Sequence, residues 1–165
     1  MIYAFIALAA VIIVMTAASF KKVPPETVFV VERMGSFYAS YGEGVHFVVP
    51  LLDKVIAKIS LAPQCLPLEK AAAVSADQVS LRLSALIRFS VTDAQKYSCS
   101  TENTPAALSS LTLTAFRNVI SAVSAGDAVK SQDTIEKTVF RAVSAAAEQW
   151  GLNVSEIKLT ELSLI

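Results

Sequence analysis

The first twenty residues, Met1 to Phe20, contain no charged side chain, and their only polar side chains are Tyr3, Thr16 and Ser19. At 1.5 Å per residue a helix of this length measures about 30 Å, which matches the hydrocarbon core of a bilayer. A cleaved signal peptide would carry a positive n-region and a shorter apolar run. Met1-Ile2-Tyr3 has no side-chain charge, although the small residues of Thr16-Ala17-Ala18-Ser19 could serve a peptidase. A retained single-pass transmembrane helix over residues 1–20 is therefore expected. Lys21 and Lys22 follow at once, and the positive-inside rule puts the remainder of the chain in the cytoplasm. Pro24-Pro25 ends any continuing helix, so 21–25 reads as a basic, proline-bearing linker.

The remainder is a folded domain. Of 165 residues 54% are hydrophobic, which excludes disorder as the dominant state, and only 17% are charged. Fourteen basic side chains balance fourteen acidic ones, so no surface suited to nucleic-acid phosphates is indicated. The chain has two cysteines and one histidine, too few for a zinc site, and Cys65 and Cys99 read as semi-buried thiols. With His46 alone, one chain cannot assemble a His-based triad. No serine sits in a Gly-x-Ser-x-Gly elbow, and Gly42-x-Gly44 lacks the rest of a phosphate loop. His46 reads as a turn residue hydrogen-bonded near Gly44 and Pro50. No enzyme, cofactor or metal is expected.

Strands fill the first half and helices the second, an α+β pattern with antiparallel sheet. Thr27–Arg33 is β-branched and aromatic, Met34-Gly35-Ser36 turns the chain, and Gly42-Glu43-Gly44 turns it again. Residues 53–61 alternate, with Val55, Ala57, Ile59 and Leu61 on one face. Pro63 and Pro67 restrict their segment to an edge strand or loop. Residues 79–92 alternate without a break from Val79 through Leu81, Leu83, Ala85, Ile87 and Phe89 to Val91, the pattern of a sheet with one buried face. A helix is predicted from a Thr104 cap with Pro105 at its first position, burying Leu108, Leu111, Ala115, Val119 and Ala122 and ending at Gly126. A second is predicted from Ser131, burying Ile135, Val139, Val143, Ala146 and Trp150, with Gly151 just past its end. Val154, Ile157 and Leu159 read as a closing strand. Leu162 and Leu164 are out of phase with it, which predicts a bulge.

In this order the features resemble the SPFH domain of stomatins, prohibitins and flotillins, from about Val23 to Leu162. The resemblance rests on Val30-Val31-Glu32-Arg33-Met34-Gly35-Ser36-Phe37, on Gly42-Glu43-Gly44-Val45-His46-Phe47-Val48-Val49-Pro50, and on Asp77. Further on it rests on Phe89 to Asp93, on Thr114 to Ile120, and on Trp150-Gly151-Leu152-Asn153-Val154. Among members, stomatin-like proteins with one N-terminal span are the most similar. The resemblance implies an SPFH domain over 26–165, with a strand-rich subdomain near 26–76 and a mixed one near 77–165. It implies a membrane-anchored scaffold that self-associates and organises membrane microdomains or regulates partners. Those partners would be the lipid bilayer, further copies of the chain or other SPFH proteins, and a membrane protease, an NfeD-like protein or a channel. Members typically continue into a long Ala/Glu-rich helix that aids assembly, whereas this chain stops at Ile165. The resemblance thus carries the domain fold fully and the large assembly in part. A short accessory subunit of a longer stomatin-like protein is the second reading, and a membrane hydrolase the third.

Two residue groups carry functional expectations. The apolar stretch Val45, Phe47, Val48, Val49, Leu51 and Leu52 is either a loop packed on the sheet or a membrane contact, and both readings stay open. Lys130, Glu136, Lys137, Arg141 and Glu148, assigned to the second helix, are either a solvated face or a set of ion pairs between subunits.

Overall fold

The structure, a computed structural model, describes Tyr3 and residues 19–49, 52–100 and 103–164. The expected span over 1–20 therefore lies almost wholly outside the described residues. Its last residue, Phe20, begins a strand, so the expected basic linker is in part strand as well. Among the described residues no helix is long and apolar enough to cross a membrane. The chain divides into two units, 1–61 and 62–165.

Among its described residues the first unit has five strands, β1 (Phe20–Val23), β2 (Thr27–Arg33), β3 (Ser36–Tyr41), β4 (Gly44–Phe47) and β5 (Asp53–Ser60), with Tyr3 and Ser19 helical. Antiparallel β3-β2-β5 form one sheet, and β1 pairs with β4 in a separate two-stranded ribbon. β2 is central, and its unbroken Val28-Phe29-Val30-Val31 run is buried, as expected of a strand covered on both faces. Met34 and Gly35 both have positive φ, 53° and 88°, and join β2 to β3. A two-residue turn of this hand matches the strand twist.

The second unit places β6 (Gln64–Val74), β7 (Ser80–Val91) and β8 (Leu152–Leu164) in an antiparallel sheet with β7 in the centre. The division near 76 expected from sequence moves to Leu61/Ala62, because β6 is hydrogen-bonded to β7 along its length. β6 is an edge strand, as its proline requires. Leu81, Leu83, Ala85, Ile87, Phe89 and Val91 are all buried, as the alternation predicts. Four helices follow: α1 (Ala94–Ser100), α2 (Thr104–Ile120), α3 (Ala125–Lys130) and α4 (Gln132–Ala147), then a single 3-10 turn, Glu148–Trp150.

Several helix details differ from the sequence expectation. Asn103, not Thr104, caps α2, accepting from the Ala106 N–H at 3.2 Å. The buried stripe of α2 is Thr104, Leu108, Thr112, Phe116 and Ile120, which shares only Leu108 with the expected set. Thr112 is tolerated there because its hydroxyl donates to Leu108 O at 2.8 Å and leaves no orphaned donor. The helix ends at Ile120, and Gly126 lies inside α3 rather than at a terminus. α4 buries Ile135, Val139 and Val143 as expected, but Ala147 in place of Ala146, and Trp150 is half-buried. β8 carries two bulges, at Ser155 and Thr160, and these restore the phase of its apolar residues.

Gly151 has φ +69°, and its carbonyl accepts from the N–H groups of Thr92 and Asp93 at 2.9 and 3.1 Å. A Cβ at this position would lie 2.9 Å from Asp93 Cβ and 3.0 Å from Lys96 Cβ. Only glycine meets both demands. At the other end of β7, Asp77 accepts from the Ala125 N–H at 3.2 Å and satisfies the start of α3.

Candidate functional site

In the β1–β4 ribbon Phe20 faces Phe47, Lys21 faces His46, Lys22 faces Val45, and Val23 faces Gly44. Because side chains alternate along a strand, Phe20, Lys22, Val45 and Phe47 share one face. That face is open: Phe20 is 61% exposed, Val45 66% and Phe47 53%. The two phenylalanine rings meet edge to face at 5.8 Å, a favourable aromatic geometry. On the opposite face His46 stacks on Tyr41 at 4.7 Å and hydrogen-bonds Gly42 O at 2.9 Å, so its role is structural.

The expected membrane-contact stretch thus splits. Val45, Phe47 and Leu52 (48% exposed) face outward, Val48 is buried, Val49 is half-buried, and Leu51 lies outside the described residues. The ends of the stretch are held firmly. Val48 N–H donates to Ser19 O at 2.8 Å. Val49 N–H donates to Asp53 Oδ2 at 3.0 Å, and Asp53 N–H returns to Val49 O at 2.8 Å. The buried Asp53 carboxylate is gripped in bidentate fashion by Arg33, with Nε–Oδ1 at 2.6 Å and Nη2–Oδ2 at 2.9 Å. Arg33 in turn lies over the Tyr38 ring at 3.6 Å. The Arg33 hydrogen bond, aided by the Val49 N–H, holds the Asp53 carboxyl below its ordinary range. Sequence reading missed this lock and also Phe20, whose place beside Phe47 comes from pairing across 27 residues.

The second group is only partly brought together. Lys130 is the last residue of α3, not part of α4, and Glu148 lies past the end of α4. Glu136, Lys137 and Arg141 line one cleft beside β8. Glu136 is engaged within its own chain, accepting the Leu159 N–H at 2.7 Å. Among the described residues no ion pair joins Lys130, Lys137, Arg141 or Glu148. Both cysteines are exposed rather than semi-buried. Among the described residues no group of three or more potential metal ligands is assembled.

The family model described as SPFH domain / Band 7 family matches residues 21–164, which includes the ribbon except Phe20, the Arg33–Asp53 lock and the helical unit. The chain belongs to the SPFH/Band 7 family. An uncharacterized protein of Schizosaccharomyces pombe is 32% identical over 132 residues, covering 80% of this chain and 37% of that protein. The stomatin-like protein stl-1 of Caenorhabditis elegans is 25% identical over 86% of this chain and 44% of its own. A stomatin homolog of Pyrococcus horikoshii is 24% identical over 93% of this chain and 57% of its own. The chain thus spans well under two thirds of the length of these relatives. In this SPFH domain the open ribbon face is formed by Val45 and Phe47, just after Gly42-x-Gly44, together with the strand that begins at Phe20, the last residue of the apolar N-terminal run.

Proposed function

We propose that this SPFH protein is a membrane-anchored, non-enzymatic scaffold that self-associates and organises the membrane or its partner proteins. The uncharged apolar run Met1 to Phe20, expected as the span, anchors it in the bilayer, and the Phe20/Lys22/Val45/Phe47 face at the end of that run lies in the adjoining interface, on the cytoplasmic side. The supporting observation is the exposure of Phe20, Val45 and Phe47 on one ribbon face immediately after an uncharged apolar run. Aromatic and aliphatic side chains around a lysine suit the headgroup boundary, where the apolar atoms enter lipid and the ammonium stays hydrated. Burying three such side chains contributes a few kcal/mol at about 25 cal/mol per Å². That is enough to orient a ribbon already tethered at the surface.

The contact surface for neighbouring subunits or partners is assigned to Lys137 and Arg141 of α4, one helical turn apart and exposed. Lys130 and Glu148 contribute from beyond the two ends of that helix.

The membrane contact is tested on the full chain in lipid nanodiscs. Cys65 and Cys99, both exposed, are replaced by serine, and a fluorophore is attached through Val45→Cys. Strong quenching by lipids labelled near the headgroup, weaker toward the bilayer centre, is the expected result. Fluorescence indifferent to the lipid label would refute the contact.

A further inference from the structure

The sheet of the second unit ends in two long edge strands, β6 with 11 residues and β8 with 13. Long edges present unpaired backbone groups to which another strand can add. Each is met by one helix side chain of matching chemistry. Arg117 of α2 donates from Nε to Ala72 O on β6 at 3.0 Å, and Glu136 of α4 accepts the Leu159 N–H of β8 at 2.7 Å.

The surroundings of the two edges differ. β6 is interrupted by Pro67 and by a bulge at Glu69 and Lys70, where Lys70 has φ +51°. β8 keeps a regular run, Glu156 to Leu159, between its two bulges. Beside the start of that run, at Ser155 to Ile157, lies a cleft of about 330 Å³, with Glu136, Lys137, Phe140 and Arg141 along the α4 side. A groove between an edge strand and a helix is the shape that receives an extended peptide, with main-chain hydrogen bonds on one side and side-chain pockets on the other.

We propose that the α4–β8 cleft is a docking site for an extended, acidic segment of a partner protein, which adds to β8 as a further strand. The inference rests on reading the cationic flank of α4 as a contact surface, and it names the kind of segment that surface takes. Charge selects the occupant. Glu136 is committed to the Leu159 N–H and Glu156 is paired with Arg88 at 3.4 Å. Lys137 and Arg141 have no carboxylate partner among the described residues; with Glu156 offset by Arg88, these two cations face the single Glu136 carboxylate, so the cleft carries a net positive charge. Phe140 between them and Ile157 below supply apolar contact. A second copy fits less well. Antiparallel pairing of two β8 edges about a two-fold axis would keep both α4 helices on one face of the joined sheet and bring their lysine and arginine pairs together. Glu136 acts as a placeholder: an incoming carbonyl takes the Leu159 N–H, and the carboxylate is released to water.

The probe is a fluorescein-labelled, end-capped octapeptide alternating glutamate and valine, titrated by anisotropy against the full chain in detergent micelles. Saturable, salt-sensitive binding is expected, with no binding of the same peptide carrying two central prolines, which lack the required N–H groups. K137E/R141E should weaken binding about tenfold, the effect of losing two partly exposed charge contacts. E136A should bind at least as tightly as wild type, and E136Q, which keeps an acceptor for Leu159, should resemble wild type. Equal binding of the proline peptide would overturn the proposal. So would indifference to the charge reversal, or E136A chains that self-associate without taking up peptide. If K137E/R141E disrupts assembly of the chain but leaves the peptide unaffected, strand docking fails while α4 stands as a contact surface. If it alters neither, both readings fall.

Discussion

Gly151 shows how one backbone angle can fix a motif. Its positive φ turns the chain from the 3-10 turn into β8, and the missing Cβ lets its backbone close on Asp93. Gly151→Ala would impose both a strained φ and a contact that the Asp93 backbone cannot relieve. It should destabilise the second unit by about 3 kcal/mol in urea unfolding followed through Trp150. Asp53 makes a different prediction. Its carboxyl is depressed in the folded state, so the stability it contributes is fully present above the ordinary carboxylate range and is lost as pH falls through the lowered value. The protection factor of the Val49 amide, bonded to Asp53, should therefore persist below the pH at which free carboxylates protonate. In Asp53→Asn that protection should be reduced and independent of pH over the same range. Gly151 was legible as the glycine just past the second predicted helix, and its left-handed geometry agrees with that; Asp53 was not legible. The Trp150-Gly151 pair was recognised by resemblance, whereas the Arg33–Asp53 lock links positions 20 residues apart whose pairing only the β2–β5 register creates.

At the scale of elements, legibility followed how each residue satisfies its polar groups. β7 reads directly because every inward position from Leu81 to Val91 is apolar. α2 misleads because Thr104 and Thr112 sit in its buried stripe, and a hydroxyl that bonds its own helix carbonyl is invisible to a search for apolar spacing. Thr112→Val should accordingly change stability by less than about 1 kcal/mol, since it removes a donor and leaves the shape. Phe116→Ala, in the same stripe and fully buried, should cost about 3–5 kcal/mol. Gly126 reads as a helix stop by residue type, although Ser124 and Asp127 form a capping pair around it. The Ser124 hydroxyl accepts from Asp127 N–H at 3.2 Å and donates to Asp127 Oδ2 at 2.8 Å. That Ser-x-x-Asp spacing was the available signal for α3, and it would have separated Lys130 from α4. β1 offered no such signal. Two lysines before a Pro-Pro pair read as a linker, and only pairing with β4 makes them strand.

For the whole molecule, the proposed arrangement combines a single anchor, an interfacial ribbon and a lateral contact surface. Individually each contact is weak. Confinement to a membrane raises the effective concentration of neighbours, so that modest lateral contacts suffice to build an assembly. The SPFH domain is identified by its sequence and its family match, while the surfaces that would make it a scaffold had to be found from exposure and pairing. The most direct test is the native mass of the full chain extracted with its surrounding lipid in polymer discs. A discrete particle containing several copies of the chain and retaining lipid is the predicted result. A single copy at every concentration, with no further protein retained, would contradict the scaffold.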